Sequence, residues 1–222
     1  MIRAVLFDLD GTLVDTLTDL NDAVNYVLKK YSHKTVEAKD FYKMVGRGNE
    51  HMIRSALPEE KKNDKNYVAE LLNEFFAYYK EHCADKSRAY EGINELIEGL
   101  KKEEVSVAIV TNKAQIMTDV IVPQIFKEGT FWAVIGQRDG VPKKPEPHMP
   151  FLAMSEMDVN PDECLFVGDS GVDMETGKNC GNIPVGVTWG YREREELINK
   201  GARFIADNPC EILDIVRNIN QC

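Results

Sequence analysis

The sequence predicts a doubly wound α/β fold on a parallel sheet, with an all-helical insert directly after the first strand. Three observations predict it. Short apolar runs recur and are continuous, not alternating, as expected of strands covered on both faces. Helical patterns separate those runs, and strand–helix alternation implies parallel crossover units. One long interval, residues 16–88, carries helical pattern and no good strand.

The first run, Ile2–Phe7, empties into Asp8-Leu9-Asp10-Gly11-Thr12. Four helical patterns follow in the insert: Leu17–Lys30, Val36–Val45, Asn49–Leu57 and Glu60–Cys83. The last carries Tyr67, Phe75, Phe76, Tyr78 and Tyr79, expected to form its packing face. Alternation then resumes with helix Ile93–Lys102, strand Val105–Val110, helix Ala114–Phe126 and strand Phe131–Ile135. Val141–Pro150 holds four prolines and is expected to be an extended loop leading into helix Pro147–Met157. Strand Cys164–Val167, helix Val172–Cys180, strand Ile183–Val187, helix Glu193–Asn199, strand Arg203–Ala206 and helix Glu211–Ile219 complete the pattern. Residues 1–15 and 89–222 are thus expected to form the α/β domain, and residues 16–88 the helical one.

Composition agrees with a globular chain. Of 222 residues, 43% are apolar, enough for a sizeable core, and 29% are charged. A net charge of −10 argues against nucleic acid, which needs basic surface to displace counterions. The five cysteines, Cys83, Cys164, Cys180, Cys210 and Cys222, are scattered and form no C-x-x-C, which reads as reduced thiols. With no leader and no apolar run of membrane-spanning length, a cytoplasmic protein without membrane contact is expected, monomeric or homodimeric.

Ligands of open α/β sheets bind beyond the carboxyl ends of the strands. Those ends present Asp8 and Asp10, then Thr111-Asn112, then Gly168-Asp169-Ser170 with Asp173 in the following turn. Lys143 and Lys144 sit on the proline-stiffened loop. Like charges about 4 Å apart cost on the order of 4 kcal/mol per pair at an effective dielectric near 20. Four aspartates in one crevice therefore call for a divalent cation, and an all-oxygen set suits magnesium. Thr111, Lys144 and the backbone amides around Gly11, Asn112 and Ser170 would supply donors for an anion. Metal, anion cradle and spare carboxylate together describe phosphoryl transfer. A calcium loop is the rival for Asp-x-Asp-Gly, but here a strand precedes it and no ligand ladder ends in Glu. The four histidines show no ligand spacing.

Asp8-Leu9-Asp10-Gly11-Thr12-Leu13-Val14-Asp15, Thr111-Asn112, Lys144-Pro145-Glu146-Pro147 and Gly168-Asp169-Ser170-Gly171-Val172-Asp173 resemble the four motifs of the haloacid dehalogenase superfamily, in order. The helical insert is similar to that superfamily's helical cap. Gly46-Arg47-Gly48 and Thr188–Leu197 are similar to its phosphoglycolate phosphatase branch, with close variants in pyrophosphatases and sugar phosphatases.

The resemblance implies roles. Asp8 would attack phosphorus to give an aspartyl-phosphate, and Asp10 would act as general acid, then base. Thr111 would bond the phosphoryl oxygens, and Lys144 would neutralise charge between two anions. Gly11, Thr12 and Asn112 would help to cradle phosphate. Magnesium would be held by Asp8, Asp169 and the backbone carbonyl of Asp10. Asp173, with Ser170, would orient Lys144 or metal-bound water. Gly46-Arg47-Gly48 reads as a plain interhelical turn or as a substrate contact through Arg47; Asp15 reads as a hinge anchor. The substrate expected is a small phosphorylated metabolite, phosphoglycolate first. A sugar phosphomutase, an inorganic pyrophosphatase and a noncatalytic phosphate-binding regulator are the alternatives, while Asp10 excludes dehalogenation.

Overall fold

The computed structural model describes residues 1–221, so Cys222, counted above among the thiols, lies outside the described residues. Strand β1 spans Ala4–Phe7, and β2, Val14–Asp15, follows the acidic turn. Helices α1 (Leu17–Lys30), α2 (Ala38–Phe41), α3 (Asn49–Ala56) and α4 (Lys65–His82) lead to β3, Arg88–Ala89. The remainder alternates: α5 (Ile93–Lys102), β4 (Ser106–Ala114), α6 (Gln115–Ile125), β5 (Ala133–Gln137), α7 (His148–Met157), β6 (Cys164–Gly168) and α8 (Gly171–Cys180). Then come β7 (Ile183–Val187), α9 (Arg194–Lys200), β8 (Phe204–Ala206) and α10 (Pro209–Gln221).

Six strands form one sheet in the order β5-β4-β1-β6-β7-β8, with every neighbouring pair parallel. β1 is central, Ala4 facing Ser106 on one side and Cys164 on the other. Its side chains split by pleat. Ala4 and Leu6 join Met149, Ala153 and Met154 of α7, whereas Val5 and Phe7 join Ile93, Leu96 and Ile97 of α5 on the opposite face. Burial of one large apolar side chain contributes about 1.5–3 kcal/mol, so a strand covered on both faces is the fixed part of the molecule.

The helical insert hangs from a weaker element. β2 and β3 make a two-stranded antiparallel ribbon, Val14 opposite Ala89 and Asp15 opposite Arg88. Asp19 staples its two sides: its carboxylate accepts the Lys86 and Ser87 amides and the Ser87 hydroxyl, the last two at 2.7 Å.

Boundaries differ from expectation where polar residues or caps intervene. The Val36–Val45 helix is only the single turn of α2 followed by a 3-10 turn, Tyr42–Met44. Beyond it the chain turns extended at Val45, and Gly46 and Gly48 sit at φ +101° and +93°, where a side chain is disfavoured. α4 starts at Lys65, not Glu60, because the Asp64 carboxylate accepts the Tyr67 amide and caps the helix there. Its aromatics do not share one face: Phe75 and Tyr79 are fully buried and stacked, 5.3 Å between centroids, while Tyr67, Phe76 and Tyr78 are half-buried. β4 runs on to Ala114, past an irregularity after Val110, so Thr111, Asn112 and Lys113 are strand residues. Cys83, Cys164, Cys180 and Cys210 are free thiols. Among the described residues no helix is long and apolar enough to cross a membrane.

Candidate active site

The sheet order reverses at β1: the chain builds β4 and β5 on one side, then β6, β7 and β8 on the other. Such a reversal opens a crevice at the strands' carboxyl ends. Asp8 and Asp10 lie just beyond β1, Thr111 to Lys113 end β4, and Asp169 follows β6. Gly11 makes their approach possible. It has φ +86°, and a Cβ there would stand 2.5 Å from an oxygen of Asp169.

Lys144 is the buried cation of the site. Its Nζ lies 2.8 Å from Asp8 Oδ1 and 2.7 Å from Asp173 Oδ1, with all three side chains almost wholly enclosed. Asp173 is aimed by the start of α8, where its Oδ2 accepts the Ser170 amide (3.0 Å) and hydroxyl (2.6 Å). Lys144 is aimed by Asn112: the amide Oδ1 accepts the Lys144 N–H at 2.8 Å, and Nδ2 donates to the Lys144 carbonyl at 3.1 Å. Burial alone would lower the Lys144 pKa, but the carboxylates of Asp173 and Asp8 outweigh it and raise it. Burial pushes Asp8 up to about 6; the charges of Asp173 and Asp10 add to this and Lys144 opposes it. Asp169 is also raised well above the usual carboxylate range, first by burial and then by Asp173 and Asp8.

A second buried lysine faces the other aspartate. Lys113 Nζ lies 3.0 Å from Asp10 Oδ1 and 3.3 Å from Oδ2, and 3.0 Å from the Tyr79 hydroxyl on α4. Asp10 Oδ1 also accepts the Thr16 hydroxyl at 2.7 Å. Behind these groups runs the segment Thr188–Arg192. The Trp189 indole donates to the Thr12 carbonyl, and the Tyr191 amide donates to Asp169 Oδ2 at 2.7 Å. The Tyr191 hydroxyl accepts the Thr16 amide. The Arg192 guanidinium donates to the carbonyls of Tyr42 and Val45 in the insert, at 2.7 and 2.8 Å.

The residues singled out in the sequence fall into two groups. Asp8, Asp10, Thr111 and Asn112 line one cavity, about 20 Å³ in volume, roofed by Leu20, Val45 and Met52 of the insert. Lys144, Asp169 and Asp173 lie against Asp8 around it, with Ser170 bonded to Asp173. Thr12 and Arg47 are not in the cavity lining. Thr12 is fully buried, its hydroxyl without a protein partner among the described residues. Arg47 is exposed and lines a separate cleft of about 370 Å³, with Ser170, Tyr191 and Arg192. Asp15, at the hinge, accepts the Leu17 amide. Lys113, Thr16 and Tyr79 were not foreseen as site residues. The only signal for Lys113 is a lysine directly after Thr111-Asn112, which reads as an ordinary solvated residue.

Oxygens of Asp8, Asp169 and Asp173 all lie within 4.8 Å of one another. Lys144 and Ser170 occupy both oxygens of Asp173, whereas Asp8 Oδ2 and Asp169 Oδ1 have no partner among the described residues. Two uncommitted carboxylate oxygens, facing a surplus of negative charge, fit a hard divalent cation.

The model of the haloacid dehalogenase-like hydrolase family matches residues 5–187. The chain is 32% identical over 215 residues to a phosphoglycolate phosphatase of Colwellia psychrerythraea, covering 95% of each. It is 31% identical to an N-acetylmuramic acid 6-phosphate phosphatase of Pseudomonas aeruginosa, covering 97% of this chain and 95% of the other. The crystal structure of a predicted phosphoglycolate phosphatase of Haemophilus somnus superposes with a TM-score of 0.88 at 27% identity, over 96% of this chain and 97% of that one. CbbY of Rhodobacter sphaeroides, in complex with phosphate, shares the fold at a TM-score of 0.79 and 21% identity, over 96% of each chain.

Proposed function

Since the chain belongs to the haloacid dehalogenase-like hydrolase family and is a phosphoric monoester hydrolase, we propose that it is a magnesium-dependent phosphatase for a small phosphomonoester, with phosphoglycolate as the leading substrate. One observation carries the choice of substrate. Asp8 and Asp10 open into the same cavity, and its 20 Å³ is room for one or two waters. A two-carbon leaving group asks the least displacement of the roof, whereas an amino-sugar phosphate needs a much larger one. The relative from Pseudomonas aeruginosa makes that larger substrate the second reading.

Residues 16–88 serve as the cap and the rest as the core. A free oxygen of Asp8 attacks phosphorus as the bond to the leaving oxygen breaks, and Asp10 gives its proton to that oxygen. Water then attacks the aspartyl-phosphate, Asp10 takes the water's proton, and the Asp8–phosphorus bond breaks to release inorganic phosphate. Lys144 stabilises Asp8 and the arriving phosphoryl group, and Asp173 holds Lys144 in place. Thr111 donates to a phosphoryl oxygen from the cavity wall. Magnesium, held by Asp8, Asp169 and the Asp10 carbonyl, would supply charge neutralisation.

The test ranks kcat/KM with magnesium across phosphoglycolate, N-acetylmuramic acid 6-phosphate, sugar phosphates and pyrophosphate. Phosphoglycolate should rank first, and Asp8→Asn should retain under about 1% of the turnover with its circular dichroism unchanged. A sugar phosphate in first place overturns the substrate. Surviving turnover in Asp8→Asn overturns the covalent route.

A further inference from the structure

We infer that Lys113 is a positioning residue for the general acid–base, holding the Asp10 carboxyl against the cavity while itself braced from the cap by the Tyr79 hydroxyl. The inference rests on the mechanism proposed above and adds two residues to it. Lys113 lies in the last turnout of β4, and its side chain is about 1% exposed. A lysine so placed needs partners, because an unpaired buried ammonium is strongly unfavourable. It has them in one direction each. Asp10 offers both carboxylate oxygens, at 3.0 and 3.3 Å, and Tyr79 offers its hydroxyl oxygen at 3.0 Å. The Lys113 ammonium also lies 4.7 Å from the centre of the Tyr79 ring.

The two contacts fix Asp10 in a way that Thr16 alone does not. The Thr16 hydroxyl holds only Oδ1, leaving the carboxyl free to swing about that atom. Lys113 spans both oxygens and removes that freedom. Tyr79 is itself immobile: it is fully buried, stacked on Phe75, and set on an 18-residue helix. Lys144 performs the corresponding service for Asp8, so each aspartate has its own buried lysine. The pairs differ in one respect. Lys144 is anchored within the core by Asp173, while Lys113 is anchored from the cap by Tyr79.

The readout separates positioning from binding and from folding. Lys113→Met keeps the unbranched apolar stem as far as the ε carbon and removes the ammonium. With an alkyl phosphate it should lower kcat by about a hundredfold, the low end of an acid–base contribution, with KM unchanged within about threefold. With p-nitrophenyl phosphate the aryl oxygen leaves without a proton, so the first step should persist while hydrolysis of the aspartyl-phosphate slows. A stoichiometric burst of nitrophenolate is the expected signature. Tyr79→Phe should give the same pattern at about a tenth of the effect, and decides the matter if Lys113→Met does not fold. Asp10→Asn is the control, and it must show the burst; if it turns over normally, the mechanism itself fails. If Asp10→Asn shows the burst while Lys113→Met and Tyr79→Phe keep wild-type kcat, the positioning role is wrong. A raised KM for phosphoglycolate at undiminished kcat also overturns it, by making Lys113 a substrate contact.

Discussion

Three buried carboxylates meet beside one ammonium group at the end of β1. Asp8, Asp169 and Asp173 converge within 4.8 Å, and Lys144 pairs with Asp8 and Asp173 at 2.8 and 2.7 Å. That surplus is visible in Asp8, which burial pushes up to about 6, and in Asp169, raised well above its usual range. The sign of the consequence follows. A group with a raised pKa holds its proton over a window where the free carboxylate has lost it, and a cation must displace that proton to bind. Magnesium affinity should therefore fall as the pH drops through about 6, the value to which Asp8 is raised. For each proton displaced, the loss approaches about tenfold per pH unit. Calorimetric titration about one unit either side of that value checks this, and equal affinities would mean that Asp8 does not hold the metal. These residues were legible because aspartates at the mouth of an apolar strand have no ordinary structural use. Lys113 was not, since one lysine after a strand is the commonest of surface patterns, and only the irregular extension of β4 turns it inward.

At the scale of elements, what was legible was what repeats. Apolar runs marked all six strands of the main sheet, and α1 and α5 have the bounds expected. The β2–β3 ribbon escaped because two residues per strand carry no period. The Tyr42–Gly48 segment escaped because its shape comes from the core. Arg192 holds the Tyr42 and Val45 carbonyls, Asn112 reaches the Gly46 carbonyl at 3.3 Å, and Lys143 the Arg47 carbonyl at 3.1 Å. No local pattern encodes a loop whose acceptors are met by residues up to 150 positions away. Val45 and Gly46 also roof the cavity, so these donors latch the closed arrangement. Charge-assisted hydrogen bonds contribute about 1.5–3 kcal/mol each. Arg192→Ala should accordingly raise KM about tenfold while kcat stays within about threefold. A fall in kcat at constant KM would instead place the effect of Arg192 on Asp169, through its neighbour Tyr191.

Across the whole molecule, the arrangement of rigid and weak parts sets how substrate enters. The sheet is held on both faces, whereas the helical insert joins it through the two-stranded ribbon, the Asp19 staple and the latched loop. Strand order was not readable from the sequence, because apolar runs fix which segments are buried but not which lie side by side. The order matters, since it sets β1 between β4 and β6 and gathers residues 8, 111 and 169 at one crevice. With the insert in this position the cavity admits one or two waters. A phosphorylated substrate is larger than that, so turnover requires the insert to move away and return. Local opening exposes amides in proportion to the population of the open form. Hydrogen exchange at Val45–Met52 should thus be slowed about tenfold or more by magnesium with inorganic phosphate, which fills the cavity and favours closure. Amides of β1 should be slow in both states, because their exchange needs the sheet itself to open. Equal exchange at Val45–Met52 with and without phosphate would mean that closure does not depend on what the cavity holds, and the roof would then be a fixed wall.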